Sequence, residues 1–515
     1  MAVKTFAAID VGSYELAMKI FEISKKNGIR EIDHIRHRVD LGSDTYADGK
    51  ISYSNMDELC RVLREFTEIM KGYRVDEYKA YGTSAIREVT NTTIVQDQIR
   101  IRTGIDIDVL SNSEQRFLDY KAIALRGEEF NRIIEEGAAI VDIGGGSIQI
   151  SLFENNALVT TQNLKLGVLR LAERLNRIKP RTNQIDELLS EMIDNQLAFF
   201  KKMYLKEGNI KHIIVVDDYV SQILRKRPDK GFEPGYVDVE GLEKFIGSLK
   251  NRTNEQVAGT LGIPEENTPL LYISSVLTKQ VARICGAKII WAPGVTLCDG
   301  IAYEYAQAQK LIPVTHDFEQ DIIACARNIS KRYMGSKKRG ETLENIALTI
   351  FDSIKKLHGL GNRERLYLRL AALLHDCGKY ISMVDIGETS YHIIMATEII
   401  GLSHAEREIV ANVVRFNHTP FIYYRDMRAQ NTKLSKEAYL IVAKLTAILR
   451  VANGLDRSHK EKLKEIRAKL KEDELILTVD SQVDISLEKG LFEKRASFFQ
   501  EVFSVRPVIR QRKKL

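Results

Sequence analysis

Two short stretches of the chain combine an apolar strand, an aspartate and a glycine turn, an arrangement suited to binding phosphate. In the longer one an apolar run ends at Asp142, and Gly144, Gly145, Gly146 and Ser147 follow. Because glycine lacks a Cβ, consecutive backbone N–H groups can close around an anion, and a nearby carboxylate can hold Mg²⁺ or a water molecule. A glycine-rich hairpin without a ligand is the simpler alternative.

A second copy of this plan lies near the N-terminus, where an apolar strand leads to Asp10, Gly12 and Ser13. The two aspartates are about 130 residues apart, which predicts two related lobes whose turns face one cleft. Both turns would then hold one phosphate chain, and this pairing favours the phosphate interpretation over the ligand-free hairpin.

A third position suited to anions is predicted at Thr83, Ser84 and Arg87. Two hydroxyls and a guanidinium would meet the unpaired N–H groups and the positive dipole end of a helix N-terminus. Plain N-capping by Thr83 and Ser84 explains the same residues equally well, so both interpretations stay open.

Length and composition indicate a multi-domain globular protein, with 515 residues, 44% hydrophobic and 28% charged. No apolar run approaches the roughly 18 residues of a membrane span, and no signal peptide is visible. The five scattered cysteines form no CxxC pair, which predicts reduced thiols and a cytoplasmic location. The net charge of +6 suits an anionic ligand, and we expect neither a membrane nor a sequence-specific nucleic acid partner.

The pattern of elements predicts four regions. Alternating strands and helices indicate two α/β lobes at 1–130 and 131–312, with a polar turn from Gly42 to Lys50. Residues 313–472 are predicted to be helical throughout. Strand-like alternation from Glu474 indicates a small α+β unit at 473–515.

The helical region contains an adjacent histidine and aspartate, His375 and Asp376, at the end of an apolar helix. Such a pair can supply two metal ligands if further histidines converge on it, and His392, His404 and His418 follow along the chain. Hydrogen bonding within a helical core is the alternative, and we expect this structural role for His375.

These motifs resemble those of the exopolyphosphatase/guanosine pentaphosphate phosphohydrolase (Ppx/GppA) family over nearly the whole chain. That family has the α/β fold of actin, sugar kinases and heat-shock chaperones, with two ribonuclease H-like lobes, and its longer members add a helical HD-like domain. The resemblance rests on the segments 9–13, 40–42, 49–52, 81–88, 111–115, 142–147 and 166–171, and for the HD-like domain on 374–376 and 449–458.

The resemblance implies hydrolysis of a terminal phosphoanhydride of inorganic polyphosphate or guanosine pentaphosphate, with Mg²⁺ as cofactor, by a homodimer. Glu114 would be the general base, Asp142 and Asp10 would hold the metal, and Gln149 would help to orient the water. A long polyphosphate would run along the basic segment 327–339. Phosphate contacts are expected from Gly12, Ser13, Thr83, Ser84, Arg87, Gly144, Gly145, Gly146, Ser147 and Gly167.

Several positions depart from the family pattern: Tyr14 replaces an Asn, Gln115 and Gln149 replace acids, Asp217-Asp218 replace a Gly-Thr-rich loop, and Arg339 stands near the first expected HD histidine. Two acids in a phosphate cleft repel the substrate or recruit a second cation. Two functions therefore compete: an active hydrolase, and a degenerate member that binds polyphosphate or a guanosine polyphosphate as a sensor or scaffold. Another phosphohydrolase reaction, such as nucleotide hydrolysis, is a third.

Overall fold

Each Asp–Gly motif lies at the end of a central strand, as the sequence predicts. β1 (Lys4–Val11) carries Asp10, and β6 (Ala138–Ile143) carries Asp142. Every residue of β6 is buried, which explains its unbroken apolar sequence. This computed structural model describes residues 3–178, 185–205, 210–226, 233–250, 252–313, 316–429, 434–456, 458, 460, 462, 466–480 and 483–512.

The two lobes belong to one compact unit, Met1–Phe318, and the remaining chain, Glu319–Leu515, forms a second. Besides β1 and β6, the strands of the first unit are β2 (Glu15–Ser24), β3 (Gly28–Arg38), β4 (Glu77–Gly82), β5 (Asp108–Val109), β7 (Ile148–Glu154), β8 (Ala157–Leu164), β9 (His212–Val216), β10 (Tyr236–Asp238) and β11 (Ile289–Trp291).

The sheets of the two lobes repeat one pattern around the aspartate strands. Lobe I has the strand order β3-β2-β1-β4-β5, and lobe II has the order β10-β11-β9-β6-β7-β8. In lobe I, β1 pairs antiparallel with β2 and parallel with β4. In lobe II, β6 pairs antiparallel with β7 and parallel with β9. The predicted α/β two-lobed, actin-like architecture is confirmed.

Helices cover both sheets. In the first unit they are α1 (Leu41–Asp48), α2 (Tyr53–Gly72), α3 (Ser84–Glu88), α4 (Thr92–Thr103), α5 (Asn112–Ala124), α6 (Glu128–Glu136), α7 (Val168–Ile178), α8 (Ile185–Tyr204), α9 (Val220–Lys226), α10 (Val239–Lys250), α11 (Asn254–Leu261), α12 (Thr268–Cys285) and α13 (Leu297–Ala308), with a 3-10 turn at Glu265–Asn267.

Two details differ from the sequence prediction. The polar stretch from Gly42 lies in a helix, α1, which Asp40 caps by accepting a hydrogen bond from the Ser43 N–H at 3.0 Å. Helix α13 falls within the range predicted for lobe II, yet it packs on the lobe I sheet, where Leu297 and Ile301 share a core cluster with Phe6 and Ala8. The chain thus returns to lobe I before the second unit.

The second unit is mainly helical: α14 (Phe318–Arg332) begins at the boundary, and α15 (Lys337–Ser353), α16 (Lys355–His358), α17 (Asn362–Leu374), α18 (Ile386–Ala396), α19 (His404–His418), α20 (Tyr424–Ala429), α21 (Lys436–Leu455) and α22 (Ser486–Phe503) follow, with a 3-10 turn at Cys377–Tyr380. Its sheet joins β12 (Ile466–Lys471), β13 (Glu474–Asp480) and β14 (Arg506–Arg512) in that order.

This sheet begins earlier than the predicted boundary at 473, because Ile466–Lys471 pairs with β13. Arg457, within the motif 449–458, lies outside the described residues.

Among the described residues, α21 has the length and apolar composition of a membrane-crossing helix, and 67% of that stretch is buried inside the protein. We therefore assign α21 to the core of the unit.

Candidate functional site

A cavity of about 760 Å³ lies between the two lobes and is lined by the ends of both aspartate strands. Seven of the predicted site residues line it: Asp10, Gly12, Ser13, Thr83, Ser84, Gly144 and Gly145. The turns therefore do face one cleft. The other predicted residues of this site are outside the cavity lining. The Ser147 carbonyl accepts a hydrogen bond from the Gly144 N–H at 3.0 Å within the glycine loop, and the rest are placed individually below.

The first turn is tied to two neighbouring segments of lobe I by hydroxyl groups. The Ser13 Oγ lies 2.8 Å from the Ser84 Oγ and 3.3 Å from the phenol oxygen of Tyr46, on α1. Thr83 holds the end of β1, because its N–H and its hydroxyl both donate to the Val11 carbonyl. Tyr46 was missed in the sequence because the turn prediction for its segment hid the helix that presents it.

The glycine loop needs its glycines for close packing rather than for a left-handed conformation. A Cβ on Gly146 would lie 2.9 Å from the Tyr46 hydroxyl, and one on Gly145 would lie 2.8 Å from a methyl of Leu169. Gly167 packs directly on the loop, since a Cβ there would lie 2.2 Å from the Gly145 carbonyl oxygen. The N–H groups of Val168 and Leu169 donate to the Gly144 and Gly145 carbonyls, so the start of α7 fixes the loop.

Two carboxylates from different lobes, Asp10 and Asp218, meet in the cavity. Burial, the charge of Asp218 and then the charges of Glu15 and Asp142 raise the pKa of Asp10 to about 8. Desolvation inside the cavity and the Glu15 charge raise the pKa of Asp218 to about 7, against the opposing effect of Arg36, although the residue stays accessible to solvent. The cleft thus concentrates negative charge that nearby cations only partly neutralise.

The two consecutive acids after β9 have different roles. Asp217 caps α9, because its carboxylate accepts hydrogen bonds from the N–H groups of Val220 at 2.9 Å and Ser221 at 2.7 Å, and from the Ser274 hydroxyl. Asp218 has no such capping contact among the described residues and carries the raised pKa. Of the pair, Asp218 is therefore the one available to a ligand.

Asp142 lies below the cavity surface in a buried ion pair with Arg116. A second carboxyl group, Asp119, shares a hydrogen bond with Asp142, and burial together with the Asp142 charge raises the pKa of Asp119 well above its ordinary range. Gln149 is buried opposite Asp142 in the strand pair, and its side-chain nitrogen has no hydrogen-bond partner among the described residues. Arg116 and Asp119 were not predicted.

Glu114, the predicted base, does not line the cavity. Its Oε2 accepts a hydrogen bond from the Ser111 N–H at 2.9 Å, and the Ser111 hydroxyl accepts one from the Glu114 N–H, which makes the pair the capping box of α5. The neighbouring Gln115 does line the cavity. The spacing Ser-x-x-Glu is itself the sequence signature of a capping box, so the sequence contained this signal.

Arg87 also lies outside the cavity lining. Its guanidinium donates to the Leu110 carbonyl at 2.7 Å and to the Gln115 side-chain oxygen at 3.3 Å. In this arrangement Arg87 positions the start of α5 and orients the Gln115 amide.

Two further arginines, Arg126 and Arg225, supply positive charge to the cavity. Both are held by one loop: Arg126 donates to the Pro293 carbonyl at 2.7 Å, and Arg225 to the Gly294 carbonyl at 3.0 Å. Burial and the charge of Arg225 lower the pKa of Arg126. Two guanidiniums that line the same cavity favour an anion there.

The residues present fit a divalent cation held jointly with a phosphate. The Asp10 Oδ1 is buried and has no hydrogen-bond partner in the described part of the chain, as expected for an oxygen that awaits a ligand. No group of three or more His, Cys, Asp or Glu side chains among the described residues is close enough to form a complete metal site. Mg²⁺ suits such an incomplete set, because it binds through one or two carboxylates plus substrate phosphates and water.

In the second unit, His375 and Asp376 lie in a buried polar cluster. The Nδ1 of His375 lies 2.8 Å from the Ala372 carbonyl oxygen, and burial lowers the His375 pKa to about 3. His418 approaches through its Nε2, 2.6 Å from the His375 carbonyl oxygen, whereas His392 and His404 are exposed. These contacts support the structural role expected for His375, which stays a prediction.

Arg339 supplies positive charge inside this cluster, and Lys379 adds a second cation 3.5 Å from the Asp376 carboxylate. Its guanidinium lies 3.7 Å from the carboxylates of both Asp376 and Asp456, and it donates to the Asn453 side-chain oxygen at 3.1 Å. Arg339 is buried, and Arg327 lies 3.7 Å from the Glu344 carboxylate. The basic segment 327–339 therefore does not form one continuous exposed surface.

Together the repeated sheets and the cleft between them define a two-lobed, actin-like α/β protein. The Ppx/GppA phosphatase family matches residues 20–307, and domain III of Ppx/GppA phosphatases matches residues 323–495. Since the first match alone spans more than half of the sequence, the chain belongs to the Ppx/GppA phosphatase family.

Individual relatives are distant in sequence. A guanosine-5'-triphosphate,3'-diphosphate pyrophosphatase of Photobacterium profundum is 20% identical over 458 residues, 87% of this chain and 85% of that protein. Exopolyphosphatase 1 of Mycobacterium leprae is 23% identical over 343 residues, 64% of this chain and 98% of that protein. The crystal structure of an exopolyphosphatase from Cytophaga hutchinsonii superposes with a TM-score of 0.52 at 18% identity, covering 61% of this chain and all of that one; this likeness concerns the fold.

Proposed function

We propose that this protein hydrolyses a terminal phosphoanhydride bond of inorganic polyphosphate or a guanosine polyphosphate, with Mg²⁺ bound, in the cavity between its lobes. The convergence of Asp10 and Asp218 with both glycine turns in that cavity carries the proposal. The names of relatives, an exopolyphosphatase and a guanosine polyphosphate pyrophosphatase, support the same bond type.

Binding of the phosphates is assigned to the turns and to two arginines. Ser13 and Ser84 offer hydroxyl groups from lobe I, and Gly145 offers backbone from lobe II. The N–H groups of Gly12 and Gly144 already donate to the carbonyls of Glu15 and Ser147, so these two glycines shape the turns. Arg126 and Arg225 add fixed positive charge. Phosphoryl transfer depends mainly on positioning and electrostatic stabilisation, and these residues supply both.

The attacking water needs a group that takes its proton. Such a base must come within hydrogen-bond reach of the water, and Asp218 meets this requirement because it lines the cavity. The Glu114 carboxylate is held by the α5 capping box, and the Gln115 amide cannot accept a proton. We therefore assign the proton to a carboxylate oxygen of Asp218, with Glu114 as the alternative base.

The proposed reaction exchanges one P–O bond for another. A bond forms between the water oxygen and the terminal phosphorus, the bridging P–O bond breaks, and the shortened phosphate chain leaves with the bridging oxygen. Asp10 would hold Mg²⁺, which when bound neutralises charge on the phosphates and on the carboxylates around it. The ion pair of Arg116 with Asp142 keeps the charge of Asp142 balanced below the cavity.

A second candidate function is binding without turnover. The observation that favours it is the pair of amides, Gln115 at the cavity wall and Gln149 opposite Asp142, together with the ion-paired state of Asp142. A site built this way would bind a phosphate chain yet activate water poorly.

Parallel assays of turnover and binding separate the two. We expect phosphate release from polyphosphate or guanosine pentaphosphate that requires Mg²⁺ and is lost in Asp10→Asn. Tight, Mg²⁺-dependent binding without release would instead establish the sensor function. Absence of both release and binding would contradict both candidates, and a thermal shift with Mg²⁺ in the parent but not in Asp10→Asn reports the cation site independently of activity.

A further inference from the structure

The helical unit carries an apolar surface patch formed by two segments, residues 333–334 and 380–384. The rings of Tyr333 and Tyr380 join these segments, with centroids 5.8 Å apart in an edge-on contact. Single exposed apolar side chains are common, but a contiguous group marks an interaction surface. The side-chain exposures within the patch are Met334 79%, Tyr380 63%, Ile381 64%, Met383 72% and Val384 90%.

The second segment of the patch has a hydrogen-bonded backbone. Residues 381–385 connect the 3-10 turn Cys377–Tyr380 to α18. The Ser382 hydroxyl accepts hydrogen bonds from the N–H groups of Val384 at 3.2 Å and Asp385 at 3.0 Å, so a local turn holds the apolar side chains outward. A side chain as exposed as Val384 cannot line a groove, which disfavours a bound peptide helix or strand.

Exposed lysines accompany the apolar tips. Lys331 precedes Met334, and Lys337 and Lys338 follow it at the start of α15. Lys337 pairs only loosely with Glu341, at the long distance of 4.0 Å. Apolar and aromatic tips beside lysines match an anionic bilayer, where the tips enter the boundary between headgroups and acyl chains and the lysines meet the phosphates.

We propose that this apolar patch docks the protein onto an anionic lipid surface. A second copy of the chain is the alternative occupant, and the measurements below distinguish it from a lipid surface. The proposal revises the expectation of no membrane partner, which considered spanning segments only. It does not depend on the reaction proposed for the cleft.

The test measures cosedimentation of the full chain with two kinds of vesicle. One contains phosphatidylcholine alone, and the other contains phosphatidylcholine mixed with anionic phosphatidylglycerol. We expect binding to the anionic vesicles that weakens in raised salt. Met383→Asp/Val384→Asp should reduce it by about tenfold or more, and Lys337→Glu/Lys338→Glu should reduce it as well. Tyr53→Asp is the matched control, because Tyr53 is an equally exposed apolar residue (83%) in the other unit.

A fluorescent reporter checks insertion directly. The chain has one tryptophan, Trp291, which is buried, so Val384→Trp introduces an exposed indole with its own signal. Its emission should shift to the blue when anionic vesicles are added. Lack of vesicle binding, or binding unaffected by the aspartates, would overturn the proposal. A change from dimer to monomer caused by Val384→Asp, measured by sedimentation velocity, would overturn it in favour of an interface between copies.

Discussion

Asp10 of lobe I and Asp218 of lobe II line one cavity, and after burial the charge of Asp218 is the strongest influence that raises the pKa of Asp10. Asp10 lies in β1 of the lobe I sheet and Asp218 in the turn that follows β9 of the lobe II sheet, so they meet only when both lobes are folded against each other. When both carboxylates are ionised they repel each other, and a bound cation would reduce this repulsion.

Because of this repulsion and of burial, we expect the stability of the folded protein to depend on pH. The Asp10 pKa is raised from the ordinary 3.8 to about 8 in the folded state, so the folded protein binds a proton that the unfolded chain releases. Protonation of Asp10 therefore contributes fully to the free energy of unfolding below about pH 4. This contribution, on the order of a few kcal/mol, is lost as the pH rises to about 8. We expect the Tm of the metal-free protein to fall over this range.

Asp10→Asn is the variant that isolates this contribution. It should flatten the decrease in Tm and remove the stabilisation by Mg²⁺, which in the parent should be larger at pH 8 than at pH 5. Identical pH profiles for parent and variant, measured by thermal denaturation, would show that Asp10 is not the titrating group.

Gly167→Ala should disrupt the glycine loop. The new Cβ would lie 2.2–2.3 Å from three backbone atoms of residues 145–147, and backbone cannot move aside as a flexible side chain can. We expect loss of phosphate binding and destabilisation of several kcal/mol. Gly247→Ala is the control: that glycine lies in α10 with open space around it, so alanine there should be neutral or stabilising by up to about 1 kcal/mol. Equal Tm values for the two variants would contradict the packing argument.

Arg339→Ala should unfold the helical unit more easily, because it leaves the buried carboxylates of Asp376 and Asp456 without this guanidinium. Removing one partner from such a buried group costs about 3–5 kcal/mol. The neighbouring Lys338 is exposed, so Lys338→Ala should change the free energy of unfolding by less than about 0.5 kcal/mol. Urea denaturation of both variants checks this, and a stable Arg339→Ala protein would refute the role assigned to Arg339.

Arg126→Ala should weaken substrate binding more than turnover. The residue contributes charge to the cavity and contacts no group placed at the reacting atoms, so we expect KM to rise about tenfold with a smaller change in kcat. Arg177→Ala, at an exposed arginine of α7, controls for loss of surface charge. If the Arg126 variant lowered kcat alone, the arginine would belong to the chemical step instead.

The sequence predicted the framework of the cleft because strand, aspartate and glycine are adjacent along the chain. Two such units lie where the prediction put them, at Asp10 and Asp142. The roles of the surrounding acids depend on local geometry that spacing does not encode. Asp217 and Asp218 are neighbours of the same type and both line the cavity, yet the carboxylate of Asp217 caps α9 while that of Asp218 has no capping contact among the described residues.

Glu114 illustrates a different difficulty. The resemblance predicts that it is a base, and the Ser-x-x-Glu spacing predicts that it caps a helix. In the folded protein its carboxylate accepts the Ser111 N–H. The apolar patch could not be predicted from the sequence either, because Tyr333 and Tyr380 are far apart along the chain and their rings meet only through packing of the helical unit.

The most direct test of the central claim compares phosphate release by Asp218→Asn and Glu114→Gln, both with Mg²⁺ and saturating polyphosphate or guanosine pentaphosphate. Glutamine can still accept the Ser111 N–H, so Glu114→Gln preserves the cap. We predict that Asp218→Asn lowers kcat by about 100-fold or more while Glu114→Gln changes it by less than about threefold. The reverse result, with Glu114→Gln inactive and Asp218→Asn active, would return the base to Glu114 and contradict this account of the cleft.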